Sequence, residues 1–172
     1  KGDAGRKLSR QDNLKKIYQS KAFLDSVQAN KYELDKLMDE LTKTENNSLR
    51  SEKLYLYFLQ LGRCAYSGEP IDIKDLYNEH KYDVDHIIPQ SLLKDDSIDN
   101  KVLVKGEYNK AKSDSYAIYQ EHPAWVENQI GFWKLLKDKN LMSKSKYDRL
   151  IRKTPLSEDE LGGFIARQLV ET

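Results

Sequence analysis

An aspartate and a histidine stand side by side in a strand-like run, Tyr82–Pro89, which reads YDVDHIIP. Asp85 offers a carboxylate that can bind a cation, and His86 offers an imidazole that can take a proton from water. Asn100 and Asn109 follow, and an amide oxygen is a further ligand for a hard cation. The spacing of these four residues predicts one site for metal-dependent phosphodiester hydrolysis.

That reaction needs a deprotonated water and a cation that offsets the charge growing on the phosphoryl oxygens. An imidazole with a pKa of about 6.5 is largely neutral at pH 7, so His86 is a candidate general base. General-base help is worth ~10²- to 10⁴-fold, whereas enzymes commonly reach ~10⁶- to 10¹⁷-fold, so a metal must supply much of the rest. The oxygens of Asp85 and Asn109 suit Mg²⁺, with Mn²⁺ as a substitute.

The elements that carry these residues follow from the local pattern. Neighbours on a strand point to opposite faces, so the acid and the imidazole can share a site only where the strand ends or bends. Pro89 and the loop after it make such an end plausible. We predict strands at Tyr82–Ile88 and Val102–Val104 and a helix around Glu107–Lys112.

Apolar residues at helical spacing predict further helices. Two lie before residue 46, a third ends at Gly62, and a fourth begins at Pro123. Ser143 and Ser157 are predicted N-caps, the second in a capping box with Glu160.

After the third helix, the sequence pattern changes from helical spacing to short strand-like segments. We predict short strands at Cys64–Tyr66 and Ile71–Ile73, on either side of a Ser-Gly-Glu-Pro turn. Cys64 is the only cysteine, which excludes an internal disulfide and a four-cysteine zinc site and predicts a small buried residue.

Composition narrows the class of protein. A chain of 172 residues can bury one core. Its net charge of +1, from 29 basic and 28 acidic residues, does not by itself indicate a nucleic-acid-binding protein. Neither a membrane-spanning run nor a signal segment is present in the sequence, which predicts a soluble cytoplasmic protein. The start at Lys1 without Met indicates a piece of a longer polypeptide.

The distribution of charge along the chain is more informative than the net charge. Residues 133–153 hold eight basic and two acidic side chains, which we interpret as a solvated helix face. Residues 101–112 hold four lysines against one acid. Because these lysines bracket Asn109, we interpret them as candidates to face a phosphate backbone.

Taken together, Asp85-His86, Asn100 and Asn109 resemble the HNH endonuclease motif of the ββα-metal fold, with Asn in place of the last His. A wider set of segments resembles the HNH domain of a type II CRISPR RNA-guided effector nuclease, namely Glu52–Tyr57, Tyr82–Ser91, Leu93–Leu103, Gly163–Ile165 and Arg167–Thr172.

The resemblance implies an α+β, mainly helical fold, in which a ββα-metal core with a short antiparallel hairpin is flanked by helices. It implies a helical lead-in from a neighbouring RuvC-like nuclease at 1–47 and an HNH domain at 48–172, with the core at about 63–113 and C-terminal helices at 115–172.

The resemblance also implies roles for the site residues: His86 as general base, Asp85 and Asn109 as Mg²⁺ ligands, Asn100 as a brace for the loop, Asp83 as a residue that shapes the site, and Lys112 near the cleaved strand.

The substrate implied by the resemblance is the DNA strand paired to a guide RNA, while the RuvC-like nuclease cuts the displaced strand. The isolated domain is then expected to be a monomer with weak affinity for DNA, in a bacterial cytoplasm. Two alternatives stay open at this point. One is a stand-alone HNH endonuclease of the homing or restriction type, and the other is a non-catalytic helical interaction domain.

Overall fold

The computed structural model describes residues 8–29 and 33–171. Within these ranges the chain forms nine α-helices and two strands: α1 (Arg10–Gln19), α2 (Lys21–Ala29), α3 (Asp35–Lys43), α4 (Glu52–Leu59), β1 (Tyr82–His86), β2 (Lys101–Lys105), α5 (Gly106–Lys112), α6 (Ile118–Glu121), α7 (Pro123–Asp138), α8 (Lys144–Ile151) and α9 (Glu158–Glu171). Short 3-10 helices occupy Asn46–Arg50, Ile73–Asp75 and Ile98–Asn100. The predicted α+β class, mainly helical with a small antiparallel sheet, is confirmed.

The two strands pair antiparallel, with Asp85 opposite Val102 and His86 opposite Lys101. Both α4 and α5 pack against this sheet. Successive residues of a strand point to opposite faces, and directly opposed residues of paired strands share a face. Asp85 therefore lies on the face that α5 covers, and His86 shares the other face with Lys101.

One hydrophobic cluster joins the N-terminal helices, the sheet and the C-terminal helices. Tyr18 of α1, Phe58 of α4 and Trp133 of α7 are each fully buried in it. The core thus includes residues on both sides of position 47, where the helical lead-in is predicted to end. That boundary stays a prediction.

The N-terminal region holds three α-helices in its described residues, where the sequence pattern predicted two. The additional helix is α2, which buries Phe23 and Val27. These two apolar residues stand four apart, which is the spacing that places them on one helical face. The prediction was wrong because it relied on the longer apolar stripes on either side.

The predicted short strands after Gly62 do not form a ladder. The described residues there show a single bridge, between Arg63 and Pro70, and a 3-10 helix in place of the second strand. Positive φ angles of 70° at Gly62 and 73° at Gly68 turn the chain too soon for more pairs to form. Cys64 is buried and free, as predicted.

The predicted helix starts are confirmed, whereas the third helix ends at Leu59 and not at the predicted Gly62. Pro123 opens α7, and the Ser143 side chain accepts a hydrogen bond from the main-chain nitrogen of Lys146. Ser157 and Glu160 form the reciprocal capping box, with contacts of 3.1 and 3.2 Å. In the described part of the chain, no helix is both long enough and apolar enough to cross a membrane.

Candidate active site

A buried ion pair joins the end of β1 to α5. Asp85 Oδ2 accepts a hydrogen bond from the Tyr66 hydroxyl at 2.6 Å and lies 3.1 Å from Lys112 Nζ. The same ammonium donates to the main-chain oxygen of His86 at 2.9 Å. Lys112 is only 1% exposed. It therefore holds both the carboxylate and the backbone of the Asp-His pair.

The charge of the Asp85 carboxylate is balanced within this corner by the Lys112 ammonium. Burial raises the pKa of Asp85, and the Lys112 ammonium and the Tyr66 hydroxyl oppose that rise. Burial and the nearby Asp85 carboxylate raise the pKa of the Tyr66 hydroxyl well above its ordinary value. Tyr66 thus stays a neutral donor to Asp85, and a metal ion at this carboxylate would compete with the Lys112 ammonium for it.

A second contact between β1 and α5 involves Asn109. Its side-chain nitrogen donates to Asp83 Oδ2 at 3.2 Å, and its neighbour on the same face of α5, three residues on, is Lys112. Asp83 and Asp85 share one face of β1 and are about 7 Å apart along the strand. The structure therefore gathers Asp83, Asp85 and Asn109 between strand and helix, and it pairs Asn109 with Asp83 rather than with Asp85.

His86 is the last residue of β1 and points away from Asp85. Its Nε2 atom lies 2.8 Å from Asp96 Oδ1 and 3.3 Å from the side-chain nitrogen of Gln90. The side chains of Asp85 and His86 therefore leave the strand end in different directions. Lys112 contacts the Asp85 carboxylate and the His86 main-chain oxygen.

Asn100 is 0% exposed and fixes the main chain just after the Asp-His pair. Its side-chain oxygen accepts from the Ile88 nitrogen at 2.9 Å. Its nitrogen donates to the oxygens of Ile88 at 3.0 Å and Asp95 at 2.9 Å. These contacts tie both ends of the intervening loop to one buried amide, which is what a bracing role requires.

The lysines around Asn109 are mostly engaged within the chain. Lys101 pairs with Glu52 at 2.7 Å, Lys105 with Glu69 at 2.9 Å, and Lys112 with Asp85. Ion-paired lysines cannot also neutralise phosphates without giving up these partners. Lys110 is exposed.

Lys146 differs from the sequence interpretation. Placed on a solvated face, it is 2% exposed, and burial lowers its pKa to about 8. Outside the motif, His122 stacks on Trp125 with ring centroids 3.8 Å apart and contacts the Ala111 oxygen at 3.1 Å. His80 is exposed.

Sequence reasoning missed Asp96 and Tyr66. An aspartate in a polar loop is more often a turn former than a partner of a catalytic group. A tyrosine two residues after a lone cysteine is not a pattern that indicates a functional site. The pairing of each with the Asp-His motif depends on how the loop and the Gly62–Pro70 turn fold back onto β1.

The donor set decides which cation fits. The described residues contain no group of three or more His, Cys, Asp and Glu side chains that could hold a metal ion. A cation here would rely on one or two carboxylates and the Asn109 amide oxygen, with water and substrate oxygens completing the shell. That composition fits Mg²⁺ or Mn²⁺ rather than zinc.

Comparison with known proteins agrees with this geometry. The family model of the HNH endonuclease matches residues 64–118, which include β1, β2, α5 and every predicted site residue. The CRISPR-associated endonuclease Cas9 of Streptococcus mutans is 42% identical over 130 residues, which cover 74% of this chain and 9% of that protein. The Cas9 of Listeria innocua is 44% identical over 131 residues, or 75% of this chain and 9% of that protein.

Residues 64–118 of this chain form an HNH endonuclease domain, and most of the chain is similar to the corresponding part of Cas9. It is also 37% identical over 134 residues to the Cas9 of Staphylococcus aureus, which covers 70% of this chain and 12% of that protein. The chain thus spans about a tenth of the length of these curated relatives. The match to the HNH endonuclease family favours a nuclease over the alternative of a non-catalytic interaction domain.

Proposed function

We propose that this HNH endonuclease is the nuclease domain of an RNA-guided CRISPR effector and that it hydrolyses the DNA strand paired to the guide RNA. The observation that carries the proposal is the buried Asp85 carboxylate, paired with Lys112 at 3.1 Å and directly followed by His86. A buried, anchored carboxylate and an imidazole carried by the same strand end supply the two groups that one-metal hydrolysis with a general base needs.

Each residue then has a role in the reaction. Asp85 and Asn109 hold Mg²⁺, which when bound offsets negative charge on the phosphoryl group. His86 accepts the proton of the attacking water. Lys112 keeps the end of β1 against α5, and its place beside Asp85 puts a positive charge close to the cleaved strand. Asp83 orients Asn109 through their hydrogen bond.

The substrate and partners are those of a Cas9-type effector. Base pairing with the guide RNA selects the target, and the domain meets the backbone of the heteroduplex. A net charge of +1 and ion-paired lysines suit a domain whose binding energy comes mainly from other parts of the protein. A RuvC-like nuclease region cuts the displaced strand. Residues 48–172 form the nuclease domain and residues 1–47 its lead-in, within a bacterial cytoplasmic protein for antiviral defence.

A magnesium titration tests the proposal. We expect Asp85→Asn and Asn109→Ala, introduced into the full effector that carries this chain, to slow target-strand cleavage at least tenfold and to shift the magnesium dependence to higher concentration. Asp114→Asn is the matched control, because Asp114 is exposed just beyond α5. Native rates and native magnesium dependence in both variants would overturn the assignment of the ligands.

A further inference from the structure

One carboxylate oxygen links the imidazole of the active site to a buried lysine. Asp96 Oδ1 lies 2.8 Å from His86 Nε2 and 3.0 Å from Lys101 Nζ. His86 and Lys101 are directly opposed across the sheet, so their side chains share a face. Asp96 reaches this face from the loop between the strands and joins the two.

The Asp96 carboxylate is held in place although its side chain is 73% exposed. The Lys101 side chain is only 6% exposed, and its ammonium also lies 2.7 Å from Glu52 Oε1 in the first turn of α4. On the loop itself, the neighbouring Asp95 pairs with Arg149 at 2.8 Å and accepts from Asn100 through its main-chain oxygen. Asp96 is therefore anchored both through its carboxylate and through its neighbour in the chain.

The contact with Asp96 determines which ring nitrogen of His86 carries the hydrogen. Contacts with His86 and Lys101 lower the pKa of Asp96, so its carboxylate is ionised and only accepts hydrogen bonds. Nε2 of His86 must then carry a hydrogen, and in the neutral ring Nδ1 keeps the lone pair. The Gln90 amide nitrogen is farther from Nε2, at 3.3 Å, so the carboxylate governs this choice.

We propose that Asp96 is a positioning residue for catalysis, which orients His86 and holds it in the tautomer whose Nδ1 accepts the proton of water. This inference rests on the proposed role of His86 as general base. The arrangement is the same in kind as the acid that orients a catalytic histidine in other hydrolases, where an amide in place of the acid stabilises the wrong tautomer.

The test compares three replacements of Asp96 in the full effector under single-turnover conditions. Asp96→Ala removes the acceptor and should slow target-strand cleavage roughly 10- to 100-fold. Asp96→Asn should slow it at least as much, because its amide can donate to Nε2 and place the hydrogen on Nδ1. Asp96→Glu keeps a carboxylate and should recover part of the rate. DNA binding and displaced-strand cleavage should stay native in all three.

Asp99→Asn is the matched control, because it removes the same charge from the same loop at an exposed position without contact to the imidazole. A native rate for Asp96→Asn would overturn the proposal. A faster cut would also overturn it and would show that the carboxylate restrains His86 instead. If His86→Ala itself left the target-strand cut intact, the proposed function would fail, whichever result the Asp96 variants gave.

Nitrogen-15 NMR of the imidazole gives a readout that does not depend on cleavage. In this chain, the ring of His86 should be in the form protonated at Nε2 at a pH where it is neutral. Asp96→Asn should shift the population toward the form protonated at Nδ1, and Asp99→Asn should not. An unchanged tautomer in Asp96→Asn would show that another group sets it and would contradict the proposal.

Discussion

Lys112 and Asp85 form an ion pair of 3.1 Å in which the lysine side chain is 0% and the aspartate side chain 9% exposed. The pair lies between the last turn of α5 and the end of β1, and it is the most buried of the ion pairs around the sheet. A buried pair adds little net stability over apolar packing, but removal of one partner leaves an uncompensated charge. The strand–helix unit of this HNH domain therefore depends on both members.

Replacement of Lys112 by Met tests that dependence. The methionine fills similar space but leaves Asp85 without its counter-charge, so we expect the free energy of unfolding in metal-free buffer to fall by roughly 3 kcal/mol. Urea denaturation measures the change. Lys110→Met, on the exposed side of the same helix, should change stability by less than about 0.5 kcal/mol. Equal stability of the two variants would show that the pair is dispensable.

Magnesium should stabilise this chain through Asp85. A ligand that binds only the folded state raises its stability by about 2.7 kcal/mol at 100 times its dissociation constant, so the melting temperature should rise with Mg²⁺ concentration. Asp85→Asn should abolish most of the rise, while Asp114→Asn should keep it. A rise of the same size in Asp85→Asn would place the cation elsewhere.

The strand and helix that carry the site could be predicted from the sequence because their patterns are local. The strand-like pattern of Tyr82–Ile88, ended by Pro89, predicted β1, and the structure gives Tyr82–His86. The helix expected at Glu107–Lys112 is observed at Gly106–Lys112. Both predictions need only the residues of the element itself.

The partners of the site residues could not be predicted in this way. A lysine is normally exposed, yet Lys112 is buried because the fold brings Asp85 and a main-chain oxygen to its ammonium. Asp96 can contact His86 because Asn100 and Arg149 both hold its neighbour in the loop, Asp95. Such contacts join residues far apart in the chain, and no local pattern encodes them.

Asn100 is expected to be important for stability as well as for catalysis. Asn100→Ala removes three buried hydrogen bonds and leaves main-chain groups of Ile88 without partners. We expect a loss of roughly 3 kcal/mol in the free energy of unfolding, measured by urea denaturation. Asn100→Asp keeps the acceptor for Ile88 but not the two donor contacts, and it should also be destabilising. A loss below about 0.5 kcal/mol for Asn100→Ala would contradict the bracing role.

Lys146 should make stability depend on pH at the alkaline end. Burial lowers its pKa to about 8 from an ordinary 10.5, so between these values the unfolded chain binds a proton that the folded chain does not. Stability should therefore rise as the pH increases from about 8 to 10.5, by up to roughly 3 kcal/mol.

Lys146→Met should remove this rise, since it has no amine to titrate, and should be more stable than the native chain at pH 7. Lys144→Met, at an exposed position two residues earlier, should retain the rise. Urea denaturation at pH 7 and pH 10 measures the effect. If the stability of the native chain fell steadily over this range and Lys146→Met behaved identically, burial of the Lys146 amine would not destabilise the folded state.

The most direct test of the central claim is strand-resolved cleavage of a guide-matched duplex by the full effector, native against His86→Ala, with Mg²⁺ and with EDTA. We expect the substitution to abolish only the cut in the guide-paired strand, with DNA binding and the displaced-strand cut intact, and EDTA to abolish both cuts. A guide-paired cut that survives His86→Ala would contradict the assignment of Asp85-His86 as the catalytic pair.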